Sequence, residues 1–446
     1  MRVLALIDGE HYPPVVRFAL EELRRGHDVV GAAFLGGTEK VEAEAHEEVY
    51  GVPVVTAPDA LSALTRALER FSPEVVVDLS DEPVVSAADR FVLATAALRS
   101  GARYVGADFA FDPPRTLVRP VTPTLGILGT GKRVGKTAIS AYAARRLKAG
   151  GTDLVVLAMG RGGPEEPELI RGDEVRLTTP DLLRLARQGK HASSDNYEDA
   201  VMSRVTTVGC RRCGGGMAGE TFFSNVPAGA RLADSLGKEL LIAEGSGAAI
   251  PPVAFDAAML VVGAGRGLTY LRDHFGPFRL ALADLVVLAT AEEPNASAEE
   301  VAALKAFAAE ARPGIPCVAT TFRPKPIESV EGRRVFFAST APPEVLPVLV
   351  GHLRERFGCE VTGSSPHLSD RARLREDMAV ARGSFDVLLT ELKAAAIDVV
   401  AAAGEDAGVP TVLCDNVPVA VDGQDLGALV EEAAAAAVER GRGRAA

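Results

Sequence analysis

The sequence predicts an α/β protein built from parallel sheets covered by helices, in at least two domains. Three observations predict it. Short apolar runs alternate with helical patterns along the chain, the arrangement that strand–helix–strand units require. Its 446 residues exceed what one compact core serves. Most of the predicted strands are continuously apolar, as strands buried on both faces must be.

Residues 2–7 read as a buried strand, 15–25 as a helix ending at Gly26, and 28–34 as a second strand. Strand 74–78, helix 84–99 and strand 103–105 continue the alternation, giving a Rossmann-like domain over residues 1–120. Pro113, Pro114, Pro120 and Pro123 fall within twelve residues and mark the linker. A second unit, 121–345, has strands at 125–129, 153–158, 240–243, 259–262, 285–289 and 316–319, with helices at 137–148, 180–188 and 297–312. Residues 346–446 read as a carboxy-terminal α/β region, either a third domain or an extension of the central sheet. Its elements are helices 343–356 and 369–381, strands 386–390 and 411–414, and an Ala-rich terminal helix.

Composition narrows the function. A net charge of −12 argues against a general nucleic-acid or anionic-membrane surface, while leaving room for a local basic pocket. No run approaches the length of a membrane span, and five cysteines, an odd number, suggest a reducing compartment. The cytoplasm is the expected location. Only nine of the 48 basic residues are lysines, yet Lys132 and Lys136 lie four positions apart.

Those lysines belong to Gly129-Thr130-Gly131-Lys132-Arg133-Val134-Gly135-Lys136-Thr137, which follows a strand and opens a helix. This is the context of a phosphate-binding loop, and the second unit is expected to be a P-loop NTPase domain binding ATP and magnesium. Glycines let backbone amides face the phosphates, and the helix N-terminus adds positive charge. Lys136 is expected to reach the β- and γ-phosphates and Thr137 to bind Mg2+. The leading glycine is Gly129, with five residues before Gly135 rather than four. That spacing resembles dethiobiotin synthetase and related ATP-dependent ligases. Lys132 and Arg133 are either further phosphate ligands or solvated loop charges.

Residues 239–247 form an apolar strand ending in Glu244, the candidate metal carboxylate, with a structural strand-end glutamate as the alternative. Arg161, between glycines after the strand at 153–158, reads as an anion ligand. Asp173 and Glu174 are candidates for a second metal contact. Cys210-Arg211-Arg212-Cys213-Gly214-Gly215 reads as a glycine-rich loop whose arginines clamp an oxyanion. A zinc half-site or a surface loop is the alternative there. Arg266 follows a strand within Gly265-Arg266-Gly267 as a second phosphate ligand. His11, in Asp8-Gly9-Glu10-His11, is a candidate for proton or phosphate handling, and Asp78-Leu79-Ser80-Asp81 occupies an equivalent strand end. Glu391-Leu392-Lys393 and Asp415-Asn416 are weaker candidates of that type.

Taken in order, five segments resemble the cyclic 2,3-diphosphoglycerate synthetase family. They are residues 6–14, the loop 129–137, residues 209–219, Ala243-Glu244-Gly245-Ser246-Gly247, and residues 389–396. The resemblance implies an ATP-dependent ligase that closes 2,3-diphosphoglycerate into its cyclic phosphoanhydride and releases ADP and phosphate. Lys136, Lys132, Arg161 and Glu244 are then catalytic; Arg161, Arg211, Arg212, Gly214, Gly215, Arg266 and His11 meet the substrate; Thr137 and Glu244 hold magnesium. It also implies potassium, for which the sequence names no ligand. Neither nucleic acid nor membrane is an expected partner, and a homodimer stays open. The competing readings are another P-loop ligase or small-molecule kinase, and a nucleotide-driven partitioning switch. The switch would place its extra lysine at Gly131 rather than Lys132.

Overall fold

The computed structural model describes residues 1–37, 39 and 47–445. The chain forms two compact units: Met1–Pro114 with Thr269–Ala281, and Arg115–Leu268 with Leu282–Ala446.

In the first unit a six-stranded sheet runs in the order Val54–Val55, Asp28–Phe34, Arg2–Ile7, Val75–Asp78, Arg103–Val105, Ala110–Phe111. All neighbours are parallel except the last pair. The core packs Ala5, Ile7, Val16, Leu20 and Tyr50 between sheet and helices. The helix Ala60–Phe71, absent from the predicted elements, buries Ala63, Leu64, Ala67, Leu68 and Phe71, and Asp59 caps its N-terminus through Ser62 N–H. The return segment Thr269–Ala281 belongs here because Phe275 inserts edge-on between Phe91 and Phe111, at ring distances of 5.4 and 5.0 Å. Such a visit from residues far along the chain leaves no mark in local periodicity.

The second unit is organised by one long sheet. Its strands lie in the order Phe223–Ser224, Thr206–Cys213, Leu154–Gly160, Leu240–Glu244, Thr124–Gly129, Ala257–Gly263, Leu285–Ala289, Cys317–Pro326, Thr411–Ala420, Val387–Glu391, Arg334–Ala338, Glu360–Ser365. From Thr206–Cys213 to the start of Cys317–Pro326 the strands are parallel. Thr124–Gly129, Leu154–Gly160 and Ala257–Gly263 are buried at every residue, which accounts for their unbroken apolar character. Strand Cys317–Pro326 changes partner midway. Its first residues pair with Leu285–Ala289, and Thr320–Pro326 pair antiparallel with Thr411–Ala420. The carboxy-terminal strands therefore extend the central sheet.

Residues 210–213 depart from the predicted loop, being the end of the strand Thr206–Cys213. That strand is held between Leu154–Gly160 and Glu168–Arg171, and is followed by a hairpin that returns through Phe223–Ser224.

Candidate active site

The carboxyl ends of the parallel strands meet around the phosphate loop, where ligands bind in open α/β sheets. Helix Lys136–Ala149 starts directly after Gly135, whose φ of 86° is left-handed. A Cβ at Gly135 would lie 2.3 Å from the Phe322 ring, so glycine is required on both counts. Gly129 leaves room for Lys136: a Cβ there would meet Lys136 Cδ at 3.0 Å and displace it by a few tenths of an ångström. Lys136 thus folds back over the end of the strand that precedes the loop. Among the described residues no backbone carbonyl accepts from the amides of Gly131 through Gly135, a row of donors such as an anion requires.

The loop opens into a cleft of about 740 Å³. Its lining includes Lys132, Arg133, Lys136, Thr137, Arg161 and Arg266, so six of the residues singled out from the sequence come together. Arg133 adopts φ 61° and donates to Ser369 Oγ at 2.9 Å. Arg266 donates to the Lys132 carbonyl at 2.8 Å and so also braces the loop. Burial holds the Lys132 amine below its usual pKa, and the charges of Arg161 and Arg133 push it the same way. Arg212 is shifted down by burial and by Arg161. These cations share one neighbourhood, which an anion would relieve.

Beneath the loop lies a set of buried carboxylates. Glu244 ends its strand with 2% exposure, and Asp199 is wholly buried. Glu244 Oε1, both carboxylate oxygens of Asp199 and the Ser140 hydroxyl make no hydrogen bond of ordinary geometry, and the side chains close enough to act on Glu244 as weak hydrogen-bond partners are those of Asp199 and Ser140 themselves. Burial raises the Asp199 carboxyl well above the usual range, and the charges of Glu244, Glu198 and Asp195 add to this. Glu244 is raised by burial, against the opposing charge of Lys136. Lys136 is lowered by burial, with Glu244 and Asp195 opposing the shift. Each orphaned polar group costs roughly 1–3 kcal/mol. Oxygen donors with spare lone pairs behind a phosphate loop suit a hard divalent cation. Among the described residues no three His, Cys, Asp or Glu side chains form a metal cage alone.

Asp195, Glu198 and Asp199 were not candidates from the sequence. They occupy helix Asp195–Ser203, in which every residue after the first is buried. The readable signal was three carboxylates at helical spacing (i, i+3, i+4), which ordinarily denotes a solvated face. Burial pushes Glu198 up to about 8, although Lys393 Nζ lies 3.1 Å from its Oε1. Burial works against the Lys393 charge, but Glu198 and Glu391 outweigh it and raise its pKa.

Several predicted residues lie elsewhere. Asp173 Oδ1 accepts from Thr206 Oγ1 at 2.7 Å, at the amino end of a strand and so at the opposite edge of the sheet from the loop. Glu174 pairs with Arg171 there. Neither lines the cleft at the phosphate loop. The arginine clamp is split because successive strand residues face opposite ways. Arg212 reaches the Ser246 carbonyl at 2.8 Å, whereas Arg211 Nε donates to the Pro164 carbonyl at 2.6 Å. Arg211 lines a second cavity of about 510 Å³ with Pro164 and Lys190. Gly214 and Gly215 begin the hairpin, Gly214 at φ 71° and Gly215 close to the Arg212 guanidinium. Cys210 is buried and Cys213 exposed, both as free thiols, and their three-residue offset on a strand turns them apart. His11 belongs to the first unit, with Nδ1 2.9 Å from Asp8 Oδ1.

Comparison with known proteins agrees with this geometry. Three domain families of cyclic 2,3-diphosphoglycerate synthetase match in sequence order: the N-terminal domain over residues 2–112, the P-loop domain over 124–321 and the C-terminal domain over 326–417. A cyclic 2,3-diphosphoglycerate synthetase of Rubrobacter xylanophilus is 51% identical over 446 residues, spanning 100% of this chain and 99% of that one. The chain belongs to the cyclic 2,3-diphosphoglycerate synthetase family. Similar relatives of that name occur in Methanothermus fervidus, at 46% identity over 94% of each chain, and in Thermococcus kodakarensis, at 47% over 96% of each. The chain is thus a P-loop enzyme of the ligase type. In this family member the phosphate loop and Glu244 fall in the P-loop domain match, while Lys393 and Glu391 fall in the C-terminal one. No helix among the described residues is long and apolar enough to cross a membrane.

Proposed function

We propose that this enzyme uses ATP to close 2,3-diphosphoglycerate into cyclic 2,3-diphosphoglycerate, releasing ADP and phosphate. The observation that carries the reading is the meeting of a phosphate loop and clustered cations at one cleft, with the buried carboxylates of Glu244 and Asp199 acting on Lys136 behind it. A substrate of about five negative charges beside ATP needs such a concentration of cations to bind at all.

The loop amides and Lys136 hold the β- and γ-phosphates. Thr137 and Glu244, with Asp199, would hold magnesium. That ion, when bound, neutralises charge between the β- and γ-phosphates. Lys132, Arg161 and Arg212 grip the substrate's phosphates and orient one of them toward the γ-phosphorus. An oxygen of that substrate phosphate bonds to the γ-phosphorus as the bond to the ADP oxygen breaks. The second substrate phosphate then attacks the phosphorus of the first, forming the ring anhydride and expelling inorganic phosphate. Neither step requires a general base, because the attacking oxygens are already ionised near neutral pH. Much of the acceleration comes from holding the two phosphates together. The reaction belongs in the cytoplasm, where thiols stay reduced.

Phosphorus NMR of the protein with magnesium, ATP and 2,3-diphosphoglycerate tests this. The expected result is a cyclic pyrophosphate signal growing with ADP and phosphate; ATP left intact in that mixture would overturn it.

A further inference from the structure

We propose that Lys393 is a substrate-binding residue, taking an anionic group of the phosphoglycerate when it turns from Glu198 into the cleft. The inference rests on the function proposed above and adds a ligand from the C-terminal region.

Lys393 stands two residues beyond the strand Val387–Glu391. Its amine is 3.1 Å from Glu198 Oε1, with side-chain exposures of 26% and 10%. Both residues line the cleft that holds the phosphate loop. A buried ion pair adds little net stability over an apolar pair of similar shape, so stability alone does not explain placing one at the rim of an anion site.

The backbone around Lys393 is held at a cost. Ala394, the next residue, is left-handed at φ 47° without being glycine. A π-helix, Ala396–Ala401, follows at once; such turns are rare and gather at functional sites. On the other side Glu391 accepts from the Ser339 hydroxyl and, at 2.7 Å, from the Thr340 hydroxyl. The loop is therefore anchored before and strained after the lysine, which leaves its flexible stem as the part free to swing.

The groups already given over to the nucleotide leave the substrate as the ligand for Lys393. Lys393 feels Glu198, Glu391 and Asp195. Asp195 in turn acts on Lys132 and Arg212, the cations that neighbour Arg161, as well as on Lys136. The nucleotide's phosphates are already served by the loop amides and Lys136. A lysine suits the role because its point charge on a four-carbon stem can exchange a carboxylate partner for a ligand oxygen.

The test uses the full-length enzyme and two titrations by calorimetry, one with 2,3-diphosphoglycerate and one with magnesium and a non-hydrolysable ATP analogue. Lys393→Met should weaken 2,3-diphosphoglycerate binding roughly tenfold to a hundredfold, the range of one charged hydrogen bond. It should leave the analogue's affinity within about twofold, since additive effects are expected for a ligand it does not touch. Lys393→Arg should restore part of the loss. The double variant Lys393→Met with Glu198→Gln leaves no unpaired buried charge and guards against misfolding. If Lys393 meets substrate, the double variant stays weak; if it recovers wild-type affinity, the pair is structural and the proposal fails. A Lys393→Met protein that binds 2,3-diphosphoglycerate normally also sinks it. Failure of the wild-type enzyme to make the cyclic product would instead overturn the function on which this rests.

Discussion

Buried carboxylates near the ends of strands occur in both compact units, and two pairs of them are in opposite states. In the first unit Asp8 is fully buried and saturated: it accepts from the amides of Glu10, His11 and Asp81 at 3.0, 3.1 and 2.8 Å. Asp78 likewise accepts from Ser80, Arg90 and the Tyr104 hydroxyl. In the second unit Asp199 and Glu244 are as deeply buried, yet three of their four oxygens make no well-formed hydrogen bond and face chiefly one another. Saturated carboxylates close a loop and need nothing more. Orphaned ones store a desolvation cost that only a ligand removes, and so the contrast separates a scaffold from an active site where position on the sheet does not.

The contrast can be tested from its strongest consequence down. Lys136→Ala removes the cation facing the orphaned pair and should lower turnover by about a thousandfold or more, measured as ADP release. Glu244→Gln should lower kcat on the order of a hundredfold while raising the ligand-free melting temperature by about 2 °C. Asp8→Asn should lower the melting temperature by a similar amount, because a saturated acceptor is lost. If Glu244→Gln melts lower than the parent, the reading of its oxygens as unsatisfied is wrong.

A pH series gives a smaller effect. Glu198, Asp199 and Glu244 all have raised folded-state pKa values, Glu198 at about 8. The folded protein therefore keeps protons that the unfolded chain releases near pH 4.5, and the stability from these groups falls as pH rises through the folded values. Without ligand, thermal melting should weaken between about pH 5 and pH 8, and Glu198→Gln should flatten part of that slope. A slope of opposite sign would break the account. The smallest effect is expected from His11→Ala. His11 is partly exposed with Nδ1 turned to Asp8, so kcat/KM should stay within about twofold; a larger loss would return it to the substrate.

Much of the site was readable because its chemistry is local. Residues 129–137 carry their strand, turn and helix signals within one short stretch, and Glu244 sits at the end of an apolar run. Helix Asp195–Ser203 was not readable, because three carboxylates at helical spacing look like a solvated surface and are instead buried. Residues 210–213 passed for a loop because the glycines after them are conspicuous, whereas their strand character comes from pairing with residues more than forty positions earlier in the chain.

From residues alone came the class of fold, the phosphate loop and its nucleotide, and the family whose segments the chain carries in order, all of which rest on patterns a few residues long. Folding had to bring the rest: that the carboxy-terminal strands extend the central sheet, that Arg211 and Arg212 part company, and that Lys393 arrives beside Glu198 at the cleft. Those outcomes depend on which distant segments exclude water from one another, and burial, unlike periodicity, is a property of the assembled chain.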